Sequence, residues 1–163
     1  MSNKPSKPKI SSPNHKRQSG DRHTSSSGNI KQTIVTEITG LKKLSDYKIR
    51  TLVTHASEFG PYLKNQRLET NQIRKFLDAI NRVKAQLVET SQEEDLRLPS
   101  DVEDEIVLLK PKLAYAAARQ KAALPLSEVM SAAIDKTEDF RDFDRLVQFI
   151  ESIIAYHKAE GGK

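Results

Sequence analysis

The chain has no cysteine, no tryptophan and only 6 glycines in its 163 residues. Without cysteine there can be no disulfide and no thiolate metal site, and a reducing intracellular compartment is permitted. The histidines are His15, His23, His55 and His157, and none shows the paired spacing of a metal-binding helix. No Gly-rich phosphate loop, nucleophile elbow or carboxylate cluster with a conspicuous base occurs, so neither an enzyme nor a metal or cofactor is expected. No apolar run approaches the roughly eighteen residues of a spanning helix, and the first residues lack the apolar core of a secretory signal. The protein therefore reads as soluble and cytoplasmic, with no membrane contact. A hydrophobic fraction of 36% fits one modest all-α core better than a large α/β one.

The charge that is present is unevenly spread. Lys4, Lys7, Lys9, Lys16, Arg17 and Arg22, against Asp21 alone, account for the whole net charge of +5, and the rest of the chain is formally balanced. Residues 1–30 are rich in Ser, Lys and Pro and poor in apolar side chains, so they read as a disordered basic tail. Such a tail is either a solubilising extension or an electrostatic probe for RNA. Residues 31–44 form an ambiguous linker, in which the β-branched run Thr33 to Thr39 fits a strand, an irregular segment or a frayed helix.

From 45 to 163 the pattern is helical and predicts a compact bundle of about five helices. Ser45 can cap a first helix carrying Ile49, Leu52, Val53, Ala56 and Phe59, which Gly60-Pro61 should stop. A second runs from near Thr70 to near Glu89 with Ile73, Phe76, Leu77, Ile80, Val83 and Leu87 on one face. Ser100-Asp101-Val102-Glu103 reads as a capping box opening a third. Pro111 lacks an N–H and its ring clashes with the carbonyl four residues back, so this helix either kinks there or yields to a new one. Pro125 should stop that run, Leu126 to about Asp135 is a short helix, and Thr137 should start the last. In the last helix, Phe140, Phe143, Val147, Ile150 and Ile154 form one stripe and Leu146, Phe149 and Ile153 another, which places it centrally or at an interface. His157 should close it as a cation at the negative end of the dipole.

Candidate binding residues lie on two helices. Arg74, Lys75, Asp78 and Arg82 fall away from the apolar stripe of the second helix, and Lys75 and Arg82 nearly eclipse. They form either a cationic ridge for a phosphate backbone or a solvated face in which Asp78 neutralises Arg74 and Arg82. After Pro111, Lys112, Tyr115 and Arg119 share one face while Leu113, Ala116, Ala117 and Leu124 occupy another. Basic, aromatic, basic suits ribonucleotides of any base. The alternatives are a Tyr115 that caps the core and an Arg119 paired to a carboxylate between 93 and 105. From Glu89 to Glu105 the chain is strongly acidic with Arg97 as its lone cation, which makes either a solvated helix start or a docking patch for a basic neighbour.

Three stretches taken together resemble a known family: Leu68-Glu69-Thr70-Asn71-Gln72-Ile73-Arg74-Lys75-Phe76, Leu109-Lys110-Pro111-Lys112-Leu113-Ala114-Tyr115-Ala116-Ala117-Ala118-Arg119, and Phe149-Ile150-Glu151-Ser152-Ile153-Ile154-Ala155-Tyr156-His157-Lys158. In this order and spacing, with the closing Gly161-Gly162-Lys163, they resemble the small helical subunit of type III-A CRISPR effector (Csm) complexes over roughly 45–163. The resemblance implies a non-catalytic bundle of which several copies stack along the effector. It implies contact with target RNA paired to guide RNA, with repeated backbone subunits, with a large polymerase-like subunit and with other copies of the chain. Specificity would lie in base pairing, leaving this subunit phosphate-directed contacts that ignore sequence. Carried onto this chain, that role falls on Arg74, Lys75, Arg82, Lys110, Lys112 and Arg119, with Tyr115 beside them. A small subunit of another multisubunit CRISPR effector, or a helical protein–protein adaptor, remains open.

Removing residues 1–30 should leave the melting temperature nearly unchanged, because that segment has almost no apolar side chain to contribute to a core. A drop of more than a few degrees by circular dichroism would show that the tail docks.

Overall fold

Ile30, Ile34 and Ile38 recur at every fourth position, and in the computed structural model all three are buried on one face of helix α1 (Ile30–Gly40). The structure describes residues 30–90 and 96–163, with Pro5 and Pro8 before them. The expected disordered tail 1–30 lies outside these apart from the two prolines and Ile30, as does the acidic stretch 91–95. Ile30 is helical and buried, so the tail boundary is corrected to 29 and a deletion that spares the core must stop there. α1 resolves the ambiguous linker: its β-branched residues would suit a strand, but apolar surface on α6 (Leu124–Ile134) and α2 (Ile49–Asn65) is available to a helical face, and burial outweighs propensity.

The other α-helices are α3 (Thr70–Thr90), α4 (Ser100–Val107), α5 (Leu109–Arg119) and α7 (Phe140–Ala159), with short 3-10 turns at Leu44–Asp46 and Lys121–Ala123. Among the described residues there is no β-strand, and a single bridge pairs Arg97 with Asp139. The class is all-α, as the sequence indicates, with more helical segments than its periodicity distinguishes. α7 packs on α2 and α3, α6 packs on α1 and α5, α1 meets α2, and α3 meets α5 only sparsely, so the helices close a ring around one core.

α7 is central to that core: Phe143, Leu146, Val147, Phe149, Ile150 and Ile153 are all buried, and Phe149 sits edge-on to the buried Tyr47 ring at 5.4 Å. Its start is fixed by Asp139, not Thr137. Asp139 accepts from the Asp142 N–H at 2.9 Å, and the fully buried Asp142 carboxylate accepts from the N–H groups of Asp139, Glu138 and Ser45. Thr137 instead closes α6 by donating to the Ala133 carbonyl at 2.9 Å. Ser45 lies within the first 3-10 turn, and α2 begins after Lys48.

Prolines have roles that local rules misplace. Ser100 is the first residue of α4 behind Pro99, with no side-chain cap, so the expected capping box is not made. Pro125 sits in the first turn of α6, where its missing N–H costs nothing, and starts that helix. Pro111 sits in the first turn of α5, and the break at Leu108 falls just after Val107, whose carbonyl the proline ring would otherwise strike.

Gly60-Pro61 does not end α2, which continues to Asn65. The pair marks a close crossing: a Cβ on Gly60 would lie 2.6 Å from the His157 backbone N and 2.9 Å from Tyr156 Cβ. Glycine is needed there to let two helix backbones touch, and it also removes the Cβ that a following proline would crowd.

Gly60→Ala should therefore destabilise by about 1–3 kcal/mol, since α2 and α7 must move apart in a packed core. Gly40→Ala, with nothing within 4 Å of its Cβ, should leave stability level or slightly raised. Urea midpoints of the two variants measure the contrast.

Candidate nucleic-acid interface

Where α3 and α5 diverge they leave an open groove of about 640 Å³. From α3, Lys75, Ala79 and Arg82 line it at helical spacing; from α5 come Lys112, Tyr115, Ala116 and Arg119. Phe76, Leu109 and Leu113, each largely buried, form its apolar interior. Five of the residues singled out from the sequence thus meet in one place.

Two do not. Arg74 is exposed about 100° around α3 from Lys75 and is not among the groove residues. Lys110 turns away to Asp135, with Nζ 2.5 Å from Oδ1, and ties α5 to α6.

Among the described residues the groove's charge is uncompensated. Ion pairs among the described residues join Lys31 to Glu128, Lys43 to Asp139 and Lys110 to Asp135, so Lys75, Arg82, Lys112 and Arg119 have no such partner within 4.0 Å. Asp78 does not neutralise Arg74 or Arg82; Arg82 Nε reaches only the Asp78 backbone carbonyl, at 3.4 Å. Tyr115 does not cap the core, being 65% exposed, and the Arg119 guanidinium carbon lies 5.8 Å from its ring centroid. Arg119 is thus in cation–π range of its neighbour and is not paired with a carboxylate among the described residues, which leave out 93–95. Leu113 and Ala117 are buried as expected, but Ala116 faces the groove, and Leu124 belongs to α6.

The position of α3 is set by His157. Its Nε2–H donates to the Leu68 carbonyl at 2.7 Å, and its Nδ1 accepts from the Thr70 hydroxyl at 3.2 Å. The carbonyl can only accept, which places a proton on Nε2, and with the ring neutral Nδ1 is left to accept. Burial pushes its pKa below the usual 6.5, with Lys158 and Lys64 adding to the effect and the Leu68 bond opposing it. His157 is thus no exposed cation at a helix end. It is a buried pin between the last turn of α7 and the first turn of α3. Gly161, at φ 87°, and Gly162 wrap the end of α7, with Gly162 N–H donating to the His157 carbonyl and Gly161 N–H to that of Lys158, both at 3.0 Å. The Lys163 carbonyl then accepts from Thr70 N–H at 2.6 Å, satisfying an orphan donor of α3.

α5 is held against α3 by a Gln72–Gln120 amide hydrogen bond at the end of the groove. Sequence reasoning missed both glutamines, which carry no periodic or charge signal, and it assigned Phe76 and Leu113 wholly to the core.

The arrangement defines a class: an all-α bundle that presents unpaired cations from two helices around an apolar groove. Among the described residues no group of His, Asp and Glu could hold a metal ion, and no helix is long and apolar enough to cross a membrane. The chain belongs to the Csm2 type III-A family, whose model matches residues 46–163, and is thus a small subunit of the type III-A CRISPR effector. The match begins after α1. No curated protein and no solved structure gives a significant match.

His157 makes stability pH-dependent. Its folded pKa is depressed below the unfolded value of about 6.5, so the unfolded chain binds more protons below that pH and acidification destabilises the fold. Urea midpoints should be level above about pH 7.5 and fall as the pH drops through about 6.5. In His157→Gln the fall over that window should shrink, on a lower overall stability.

Proposed function

We propose that this chain is a non-catalytic RNA-binding subunit that holds target RNA along the guide–target channel without sequence preference, in antiviral defence within the cytoplasm. The observation that carries this reading is the convergence of Lys75, Arg82, Lys112 and Arg119, free of ion-pair partners among the described residues, on one groove between two helices that carry family stretches. Like charges held together repel, and a polyanion relieves the repulsion while its condensed counterions are released. Lysines and arginines on two helix faces follow a backbone without reading bases. Family membership supports the partners: target RNA paired to guide RNA, the repeated backbone subunits, the large polymerase-like subunit and further copies of this chain. The adaptor alternative loses its main surface, because the apolar face of α7 is spent inside the core.

Converting Lys75, Lys112 and Arg119 together to Ala should weaken arbitrary single-stranded RNA binding similarly for every sequence. The log–log salt slope should fall by about 0.7 per contact, or roughly 2 in all. The full chain is used throughout, so its basic tail contributes equally to both slopes and cancels in their difference. Melting should change little, since all three side chains are exposed. Lys110→Ala should do the reverse, altering melting through Asp135 and leaving the slope alone. An unchanged slope in the triple variant would return the groove to a solvated face.

A further inference from the structure

The groove is more than a row of cations. A helical duplex presents sugars and phosphates to a protein surface, and lysines and arginines on a ridge would suffice to hold it. Here the cations stand on two facing rims, and between them lies an apolar wall of Phe76, Ala79, Leu113 and Ala116 that a duplex backbone would leave wet. At about 640 Å³ the space is in the range of about 300–1,000 Å³ typical of small-molecule sites. Tyr115 stands at the edge with its ring mostly exposed, and Arg119 covers one face. In the wall, Gln72 Oε1 is shielded from solvent and has no hydrogen-bond partner.

We propose that this groove seats an unpaired nucleobase of a single-stranded RNA segment, with the flanking phosphates on the Lys75/Arg82 and Lys112/Arg119 rims. The base lies on the apolar wall and against the Tyr115 ring, an arrangement open to any base because every base has a π-face. A small rotation of the Gln72 amide turns its orphan oxygen toward a base N–H, which each of the four bases carries on its Watson–Crick edge, and so answers the unmet acceptor without selecting among them. The inference rests on the RNA-binding reading and adds to it: the stretch of target RNA at this groove is one whose base is not paired to the guide, and that base as well as its phosphates is held.

The test uses the full chain and four probes: a short single-stranded RNA, the same strand with abasic positions, its fully paired duplex, and a free mononucleotide. Ala116→Phe fills the groove and Tyr115→Leu removes the ring; both positions are exposed and neither change alters charge. Each should weaken the single strand by about five- to a hundred-fold with the salt slope intact, while Tyr115→Phe binds like the unaltered chain. The abasic strand should bind the unaltered chain about as weakly as the normal strand binds Ala116→Phe, and the duplex should bind less tightly than the strand. Excess mononucleotide should compete poorly, since it reaches fewer rim cations; full displacement by it would replace a strand with a free nucleotide and overturn the proposal. Equal affinity for strand, abasic strand and duplex, or an Ala116→Phe that binds normally, would also overturn it. If either of those results comes while the charge variants still lower the salt slope, the phosphate-binding function stands and the base seat alone is lost.

Discussion

One buried imidazole sets the geometry on which the groove between α3 and α5 depends. His157 closes α7 from inside the protein, reaching the Leu68 carbonyl and the Thr70 hydroxyl, and so decides where α3 begins and which way its second turn points. The constraint is sharpened on every side. Gly60 lets α2 press against the backbone beside His157, and a Cβ on Gly162 would fall 2.1 Å from its Nδ1, so the last turn can fold over the ring only as glycine. Such a site tolerates a neutral hydrogen-bonding ring and penalises a charged one, because burying an ion without a counter-charge costs far more than burying a satisfied dipole.

The three stretches that carry the family resemblance are separated in sequence and adjacent in space. The first and third meet at this joint, with Lys163 reaching back to Thr70, and the second approaches the first through Gln120 and Gln72. The stretches thus serve two purposes: their apolar and small residues lock the helices together, and their charged residues line the space left where the lock opens. This explains how Leu68 and His157, which touch nothing outside the fold, can sit in the same motifs as Lys75 and Arg119.

Charge is organised on the same principle. The chain beyond its first residues is balanced overall, yet the carboxylates that pair with lysines are on α6 and at the start of α7, away from the groove. The groove also lies at the sparsest junction of the helical ring. A tighter α3–α5 contact would have buried the interior around Phe76 and Leu113 and pushed the cations outward onto separate faces.

Much of this was legible from residue spacing. The 3.6-residue period of Ile73, Phe76, Ile80, Val83 and Leu87 defines α3 and its outward cations, and the doubled stripe of α7 marks the central helix, because burial imposes its period wherever a helix packs on one side. Local chemistry was less decisive. Gly60-Pro61 reads as a stop, and Ser100 and Thr137 read as caps. In the fold the glycine is a crossing point, Ser100 is already helical, and the cap of α7 is Asp139. Helix α1 was undecidable, since the burial of Ile30, Ile34 and Ile38 depends on α2 and α6, which lie far along the chain. The sequence by itself determined the all-α class, the long helices and most of the cations that line the groove, because periodicity and charge are properties of neighbouring residues. Only the tertiary structure decided that Lys75 and Arg82 face Lys112 and Arg119 across an apolar groove, that Lys110 is diverted to Asp135, and that His157 is a neutral pin. Those outcomes depend on how helices remote in sequence approach one another, which no local pattern encodes.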